Sequence, residues 1–187
     1  LNHQNLPPFT DPLACQLIRE LAVSYTITLD ESAVRNLVNA VSWPQPYYLQ
    51  VAFQQLRSLI AANPATPPQE LIDTAIEQLT QPGADNDFHH WEGRLDTQLG
   101  TPLAALARAL LTQSATRPGG TRAENLLATV QQRHPDATDD EARALFVRLR
   151  DILLRDAYWL VDDSSGSRHY RFALEPLRRW WNRRNSL

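Results

Sequence analysis

The sequence predicts a mainly α-helical protein with two parts, a four-helix bundle and a second domain that contains a two-stranded hairpin. Apolar residues recur at three- and four-residue spacing through most of the 187 residues, which is the pattern of amphipathic helices. Prolines and glycines interrupt this pattern at short intervals, as between helices joined by short turns. Two β-type runs, YWLVDD and RHYRFAL, flank the only Ser/Gly turn, at residues 164–167.

The first two helices are predicted from their start signals. Asp11 followed by Pro12 indicates an N-cap and a first helical residue, and the helix should run to about Ser24. Asp30 is the predicted N-cap of a second helix that reaches about Val41.

The third and fourth helices complete a bundle over residues 1–83. The third, at residues 47–63, is longer and more apolar than its neighbours and is the predicted centre of the bundle. For the fourth, Thr66 is the predicted N-cap, Pro67 the first helical residue and Gln69 the capping-box partner. No strand is predicted in this part.

A bridging helix is predicted at residues 84–100. Phe88, Trp91, Leu95 and Leu99 recur at helical spacing, and Gly100 ends the run. We therefore place the boundary between the two domains here.

Residues 101–187 are predicted to form a winged helix-turn-helix domain. Capping boxes at Thr121/Glu124 and Thr138/Glu141 predict the second and third helices of this domain. The helix after Thr138, the two short strands and their turn have the order of a third helix and its wing. A closing helix with the sequence PLRRWWNRR follows.

Composition and charge restrict the possible partners. The net charge is −3, every basic residue is an arginine, and residues 1–100 carry eleven acidic residues against four arginines, whereas residues 101–187 carry ten against fourteen. A basic end on an acidic chain indicates an anionic partner or an acidic surface within the same protein. One cysteine, no signal peptide and no long apolar run predict a cytoplasmic protein without a membrane segment.

No catalytic or metal-binding motif is evident. The sequence has no GxxxxGK[ST], GxGxxG, HExxH or CxxC pattern. His89 and His90 are adjacent and point about 100° apart on a helix, so they are poorly placed to share a metal. Glu92 and Asp96 lie on one helix face but have no base or nucleophile nearby, which predicts a solvated face. Cys15 is predicted to be a buried thiol.

The start of the third helix is a candidate binding site. The segment WPQPYYLQ places two prolines and three aromatic residues at a helix start, where unpaired backbone N–H groups and the helix dipole favour an anion. The candidate ligand-binding residues are Gln45, Pro46 and Tyr47. The alternative is a tight turn that packs on its own core.

These residues carry a resemblance to a known group. A helical bundle with xPYYLQ at its third helix resembles the lid of AAA+ and STAND-type ATPases, and FHHWEGRL and YRFALEPLRRWW resemble segments of the winged helix that follows this lid. The resemblance implies that Pro46 contacts an adenine nucleotide, although Pro44 stands where the group has glycine. It further implies that ATP and Mg²⁺ bind an amino-terminal nucleotide-binding domain of the same protein, before Leu1, so we expect the chain to be a fragment of an ATPase.

The predicted winged helix has a second set of candidate residues, for contact with DNA or with another domain. They are Arg143, Arg148, Arg150 and Arg155 on the third helix and Arg168, His169 and Arg171 on the wing. Duplex DNA would be contacted weakly and through its backbone, because Asp139, Asp140 and Glu141 occupy the helix start where base-reading residues usually lie. Asp151 is expected to pair with Arg148 and Arg155.

Three functional hypotheses follow. The first is a regulatory lid and winged helix that couples the nucleotide state of a STAND-type ATPase to domain rearrangement. The second is a winged-helix DNA-binding module of the kind found in transcription regulators. The third is a protein-interaction module that uses the acidic bundle. The sequence assigns neither an oligomeric state nor a target.

Overall fold

The computed structural model describes residues 8–81, 84, 88–163 and 166–185. Over these residues the chain is mainly helical, with nine helices and a small three-stranded antiparallel sheet. It divides into two compact units, Leu1–Asp85 and Asn86–Leu187, which are described separately below. No helix in the described ranges is long and apolar enough to cross a membrane.

The first unit contains the four predicted helices. They are α1 (Asp11–Ser24), α2 (Glu31–Val41), α3 (Pro46–Ala62) and α4 (Pro68–Leu79). Helices α2 and α3 each contact the other three, so the predicted central position of α3 is confirmed but shared with α2. The largest fully buried side chains of this unit are Ile18, Leu37, Leu49, Phe53, Leu56 and Ile76.

Two of the predicted helix starts are shifted by prolines. Thr10, not Asp11, is the N-cap of α1, because the backbone N–H of Ala14 donates to the carbonyl of Thr10 at 2.9 Å. Helix α4 begins at Pro68 with Pro67 as its N-cap and without a side-chain cap, so the predicted capping box of Thr66 is wrong. A residue before proline avoids the helical region, and Pro67 is accordingly extended, with ψ 134°.

The predicted N-cap of α2 is confirmed. The Asp30 side chain accepts a hydrogen bond from the backbone N–H of Ala33 at 2.7 Å. This bond satisfies one of the backbone donors that a helix start leaves without an intrahelical partner.

The second unit contains five helices and the sheet. In order they are α5 (Phe88–Leu99), α6 (Thr101–Ala115), β1 (Thr121–Arg122), α7 (Ala123–Arg133), α8 (Asp139–Arg155), β2 (Trp159–Asp162), β3 (His169–Phe172) and α9 (Glu175–Asn185). Helix α5, predicted as a bridge, groups with this unit. Its Trp91 carbonyl accepts a hydrogen bond from the buried Tyr158 hydroxyl at 2.6 Å, and burial raises the pKa of Tyr158 to about 12.

The sheet has the order β1-β3-β2, with both pairings antiparallel. The two predicted strands β2 and β3 are confirmed, whereas β1 was not predicted. Thr121 pairs with Tyr170 in β1, so Thr121 does not cap α7, and the N-cap of that helix is Arg122 without a side-chain cap bond. The predicted Thr121/Glu124 capping box is therefore wrong.

Aromatic side chains fill the core between the sheet and helices α6 and α9. Trp159 and Trp181 are both almost fully buried. The Trp159 indole donates to the Ser114 hydroxyl at 2.9 Å, and the Trp181 indole donates to the Thr112 hydroxyl at 3.1 Å. Leu177, Trp180 and Trp181 of the closing helix are all buried.

Candidate anion and partner interface on α8 and the β2–β3 turn

The start of α8 is capped as predicted. The Thr138 hydroxyl accepts from the backbone N–H of Glu141 at 3.3 Å, and the Glu141 carboxylate accepts from the backbone N–H of Thr138 at 2.8 Å. The hydrogen bond from the Thr138 backbone lowers the pKa of Glu141. With Asp139 and Asp140, this carboxylate places negative charge where the helix dipole favours it.

The predicted arginines of α8 fall into two groups. Arg143 and Arg148 are exposed. Arg150 binds the adjacent Asp151 carboxylate at 2.6 Å, and Arg155 binds the adjacent Asp156 at 2.9 Å. These hydrogen bonds raise the pKa of both arginines.

The predicted pairs of Asp151 with Arg148 and Arg155 are therefore wrong. Each of the two paired arginines turns toward the carboxylate next to it in sequence, so helical spacing did not decide the pairing.

The three candidate residues of the hairpin have different surroundings. Arg168 donates to Asp163 across the β2–β3 turn at 3.2 Å, and this bond raises its pKa. A ring nitrogen of His169, Nδ1, lies 2.9 Å from the Ser167 carbonyl oxygen. Arg171 is half-buried on β3, opposite Leu160 of β2.

A cavity of about 430 Å³ brings two of the seven candidates together. It lies between α8 and the β2–β3 turn, and it is lined by Phe146, Arg150, Asp163, Gly166, Ser167, Arg168, Tyr170 and Ala123 of α7. Arg150 and Arg168 share this cavity with Tyr170, and their hydrogen bonds go to the Asp151 and Asp163 carboxylates. The structure does not bring Arg143, Arg148, Arg155, His169 or Arg171 to this cavity.

Tyr170 is the functional candidate that sequence reasoning missed. Its side chain is 1 % exposed, and its ring packs edge-on against Phe146 with ring centroids 6.1 Å apart. The alternation in β3, where Tyr170 and Phe172 are buried and His169 and Arg171 are half-buried, predicts an inward ring. It does not predict that Tyr170 shares a cavity with two arginines.

The start of α3 forms the tight turn that was the alternative to a ligand site. Gln45 is the N-cap, its backbone N–H donates to the Trp43 carbonyl at 2.8 Å, and Pro46 is the first helical residue. Tyr47 is 44 % exposed, and its ring stacks edge-on against Tyr48 at 5.0 Å. A contact of these residues with a nucleotide stays a prediction.

The carboxylates on the acidic face of α5 form ion pairs with arginines instead of facing only solvent. Arg108 of α6 pairs with both Glu92 and Asp96, and Arg184 of α9 binds Glu92 at 3.0 Å. The acid pair thus joins three helices of the second unit.

Cys15 is buried, as predicted. No group of three His, Cys, Asp or Glu side chains suited to a metal occurs within the described part of the chain.

Searches of protein-family models, of curated proteins and of solved structures found no match to this chain.

Proposed function

We propose that the chain is a regulatory lid and winged-helix segment of a STAND-type ATPase, and that its winged helix docks on protein instead of reading DNA. The partner is the nucleotide-binding domain of the same protein. The order α6-β1-α7-α8-β2-β3 and the sheet order β1-β3-β2 support the winged-helix assignment. In this arrangement α7 and α8 form the helix-turn-helix and the β2–β3 hairpin forms the wing.

The observation that carries the docking proposal is the charge balance of α8 and the wing. Residues 138–172 contain seven carboxylates and six arginines, a net charge of −1. Three of these arginines already bind carboxylates of the same stretch. Binding to DNA depends on cations that replace the counterions of phosphates, so a surface without net positive charge gains little from a duplex. A protein partner with mixed surface charges complements the surface of α8 and the wing better than DNA does.

The first unit supports the lid part of this proposal through its third helix. Helix α3 begins with Pro46, and Tyr47 beside it is partly exposed. An apolar surface and a helix start are therefore adjacent. ATP and Mg²⁺ would bind the nucleotide-binding domain, and Gln45, Pro46 and Tyr47 would contact the adenine nucleotide from the lid. Nucleotide binding would shift the arrangement of lid and winged helix only through a difference in affinity for the two states.

One observation favours weak DNA binding as a second candidate. Arg143 and Arg148 are exposed on α8 and form no ion pair with any residue in the described ranges. Exposed ion pairs contribute only about 0–1 kcal/mol, so a phosphate backbone could also compete for the paired arginines. The expected outcome would be salt-sensitive contact without sequence preference.

Fluorescence anisotropy of a labelled random duplex, titrated with this chain at about 50 and 200 mM salt, distinguishes docking on protein from binding to DNA. We expect no binding at the lower salt. Micromolar binding that collapses with salt, and that weakens in an Arg143→Gln/Arg148→Gln variant, would contradict docking on protein. The ATPase part is tested by the gene upstream of Leu1: a GxxxxGK[ST] motif there supports it, and an upstream region without a nucleotide-binding domain contradicts it.

A further inference from the structure

Two arginines and one tyrosine line the cavity between α8 and the β2–β3 turn. They are Arg150 of α8, Arg168 of the turn and Tyr170 of β3. Two like charges that line one cavity repel each other, which an anion between them would relieve. The cavity wall carries these two cations and only one carboxylate, Asp163.

We infer that Arg150, Arg168 and the Tyr170 hydroxyl form a binding site for a single phosphate group, carried by inorganic phosphate or by a phosphorylated side chain. A guanidinium has five N–H donors in a planar fork that matches phosphate oxygens. Within the described part of the chain, the hydrogen bonds of the two guanidinium groups go to Asp151 and Asp163, so several of their donors stay available.

The cavity suits a small anion better than a duplex. Its volume of about 430 Å³ lies in the range of small-molecule sites, which is roughly 300–1,000 Å³. The rings of Phe146 and Tyr170 form an apolar wall, which lowers the local dielectric constant and strengthens charge-assisted hydrogen bonds. A tyrosine hydroxyl is also a hydrogen-bond donor, so Tyr170, which lines the cavity, can donate its hydrogen to a phosphate oxygen.

The carboxylates that now bind the arginines do not block this site. Asp151 does not line the cavity, so its bond to Arg150 orients that guanidinium from outside. Asp163 and Arg168 are more than half exposed, at 58 % and 56 %, and they meet at 3.2 Å. An exposed pair of this kind is weak, so a phosphate dianion that reaches two guanidinium groups can replace Asp163 as the partner of Arg168.

This site does not depend on the proposed function. A phosphate site could exist whether the second unit docks on protein or touches DNA, because it concerns a cavity within that unit. The experiment therefore uses this chain alone and measures phosphate binding directly.

Isothermal titration calorimetry with inorganic phosphate, at constant ionic strength set with sodium chloride, tests the inference. We expect one phosphate per chain with affinity in the millimolar range or better. Arg150→Gln and Arg168→Gln should each weaken binding by about tenfold or more, the effect of one charge-assisted hydrogen bond. Tyr170→Phe should also weaken it, since it removes the hydroxyl and keeps the buried ring.

Arg117→Gln is the matched control, because Arg117 is an exposed arginine of the same unit that does not line the cavity. It should bind phosphate like the parent chain. Circular dichroism of each variant shows whether it is folded, and Arg168→Gln, at the exposed turn, is the variant least able to disturb the core. Equal phosphate affinity in folded Arg168→Gln, Arg150→Gln and the parent chain would overturn the inference.

A phosphoserine peptide and its unphosphorylated form distinguish the two sources of the phosphate. If the phosphopeptide binds, its unphosphorylated form does not, and Arg168→Gln abolishes the binding, the site is assigned to a phosphorylated side chain. Binding of inorganic phosphate with no gain from the peptide assigns it to the free anion. Binding of duplex DNA without measurable binding of either phosphate probe would overturn the inference and favour the DNA-binding candidate.

Discussion

At the scale of single residues, Gly120 decides whether β1 can join the sheet. Its φ of +83° is a conformation that L side chains rarely adopt. A Cβ at this position would lie 2.5 Å from the Tyr170 carbonyl oxygen. The neighbouring Gly119 has nothing within 4 Å of a Cβ, so the two glycines of one turn have different structural roles.

We predict that Gly120→Ala destabilises the second unit by about 2 kcal/mol or more, because it adds left-handed strain and a clash with β3. Gly119→Ala should change stability by less than about 1 kcal/mol. Urea unfolding followed by tryptophan fluorescence measures both. Equal effects of the two substitutions would show that β1 does not approach β3 as closely as described.

At the scale of elements, the helix starts differ in how they are capped. Threonine is the N-cap of both α1 and α8, but only Thr138 of α8 accepts a backbone hydrogen bond with its side chain. Thr10 of α1 accepts none. In α8 the residue three positions later, Glu141, also accepts from the Thr138 backbone and completes a reciprocal capping box.

We expect Thr138→Ala to lower the stability of the second unit by about 1 kcal/mol, the usual cost of losing an N-cap side chain. Thr10→Ala is the matched control and should cost the first unit only a few tenths of a kcal/mol, since no bond is lost. Urea unfolding followed by residue-resolved amide signals reports the two units separately. A loss at Thr10 as large as that at Thr138 would contradict the capping assignment.

At the scale of the whole molecule, α5 determines where the second unit begins. Phe88 is 1 % exposed and Leu95 is fully buried, and both face the core of that unit. The ring of Phe88 lies 6.0 Å from Trp180 of α9, and Trp91 meets Tyr158 edge-on at 5.0 Å. Ion pairs of Arg108 with the α5 carboxylates add to these contacts. Helix α5 is thus part of a core and not a spacer.

A fragment of residues 86–187 should therefore fold on its own with a cooperative transition. A fragment of residues 101–187 lacks α5, exposes the aromatic face of α9 and leaves the Tyr158 hydroxyl without its carbonyl acceptor. We expect it to be less stable by more than about 3 kcal/mol, which is the cost of losing one large buried aromatic side chain. Thermal unfolding, followed by circular dichroism, compares the stability of the two fragments. Equal stability of the two fragments would show that α5 is a bridge and not part of the core.

Local sequence signals account for the helices, most of their ends and the hairpin, because these depend on local spacing and on proline, glycine and capping residues. Asp30 and the Thr138/Glu141 pair show this, since each cap is complete within four residues. Where local signals conflicted, as at Thr66 before Pro67 and Pro68, the fixed φ of proline prevailed over the capping preference.

Contacts between residues far apart in the chain depend on the tertiary structure. Strand β1 is two residues long and has no periodic pattern, so it exists only because Thr121 pairs with Tyr170 of β3. The placement of Arg150, Arg168 and Tyr170 around one cavity likewise depends on how α8 packs against the hairpin. Arg150 and Arg155 form ion pairs with the carboxylates next to them in the sequence, although helical spacing favoured other pairs. Ion pairs and strand contacts depend on distances in space, which local sequence patterns do not contain.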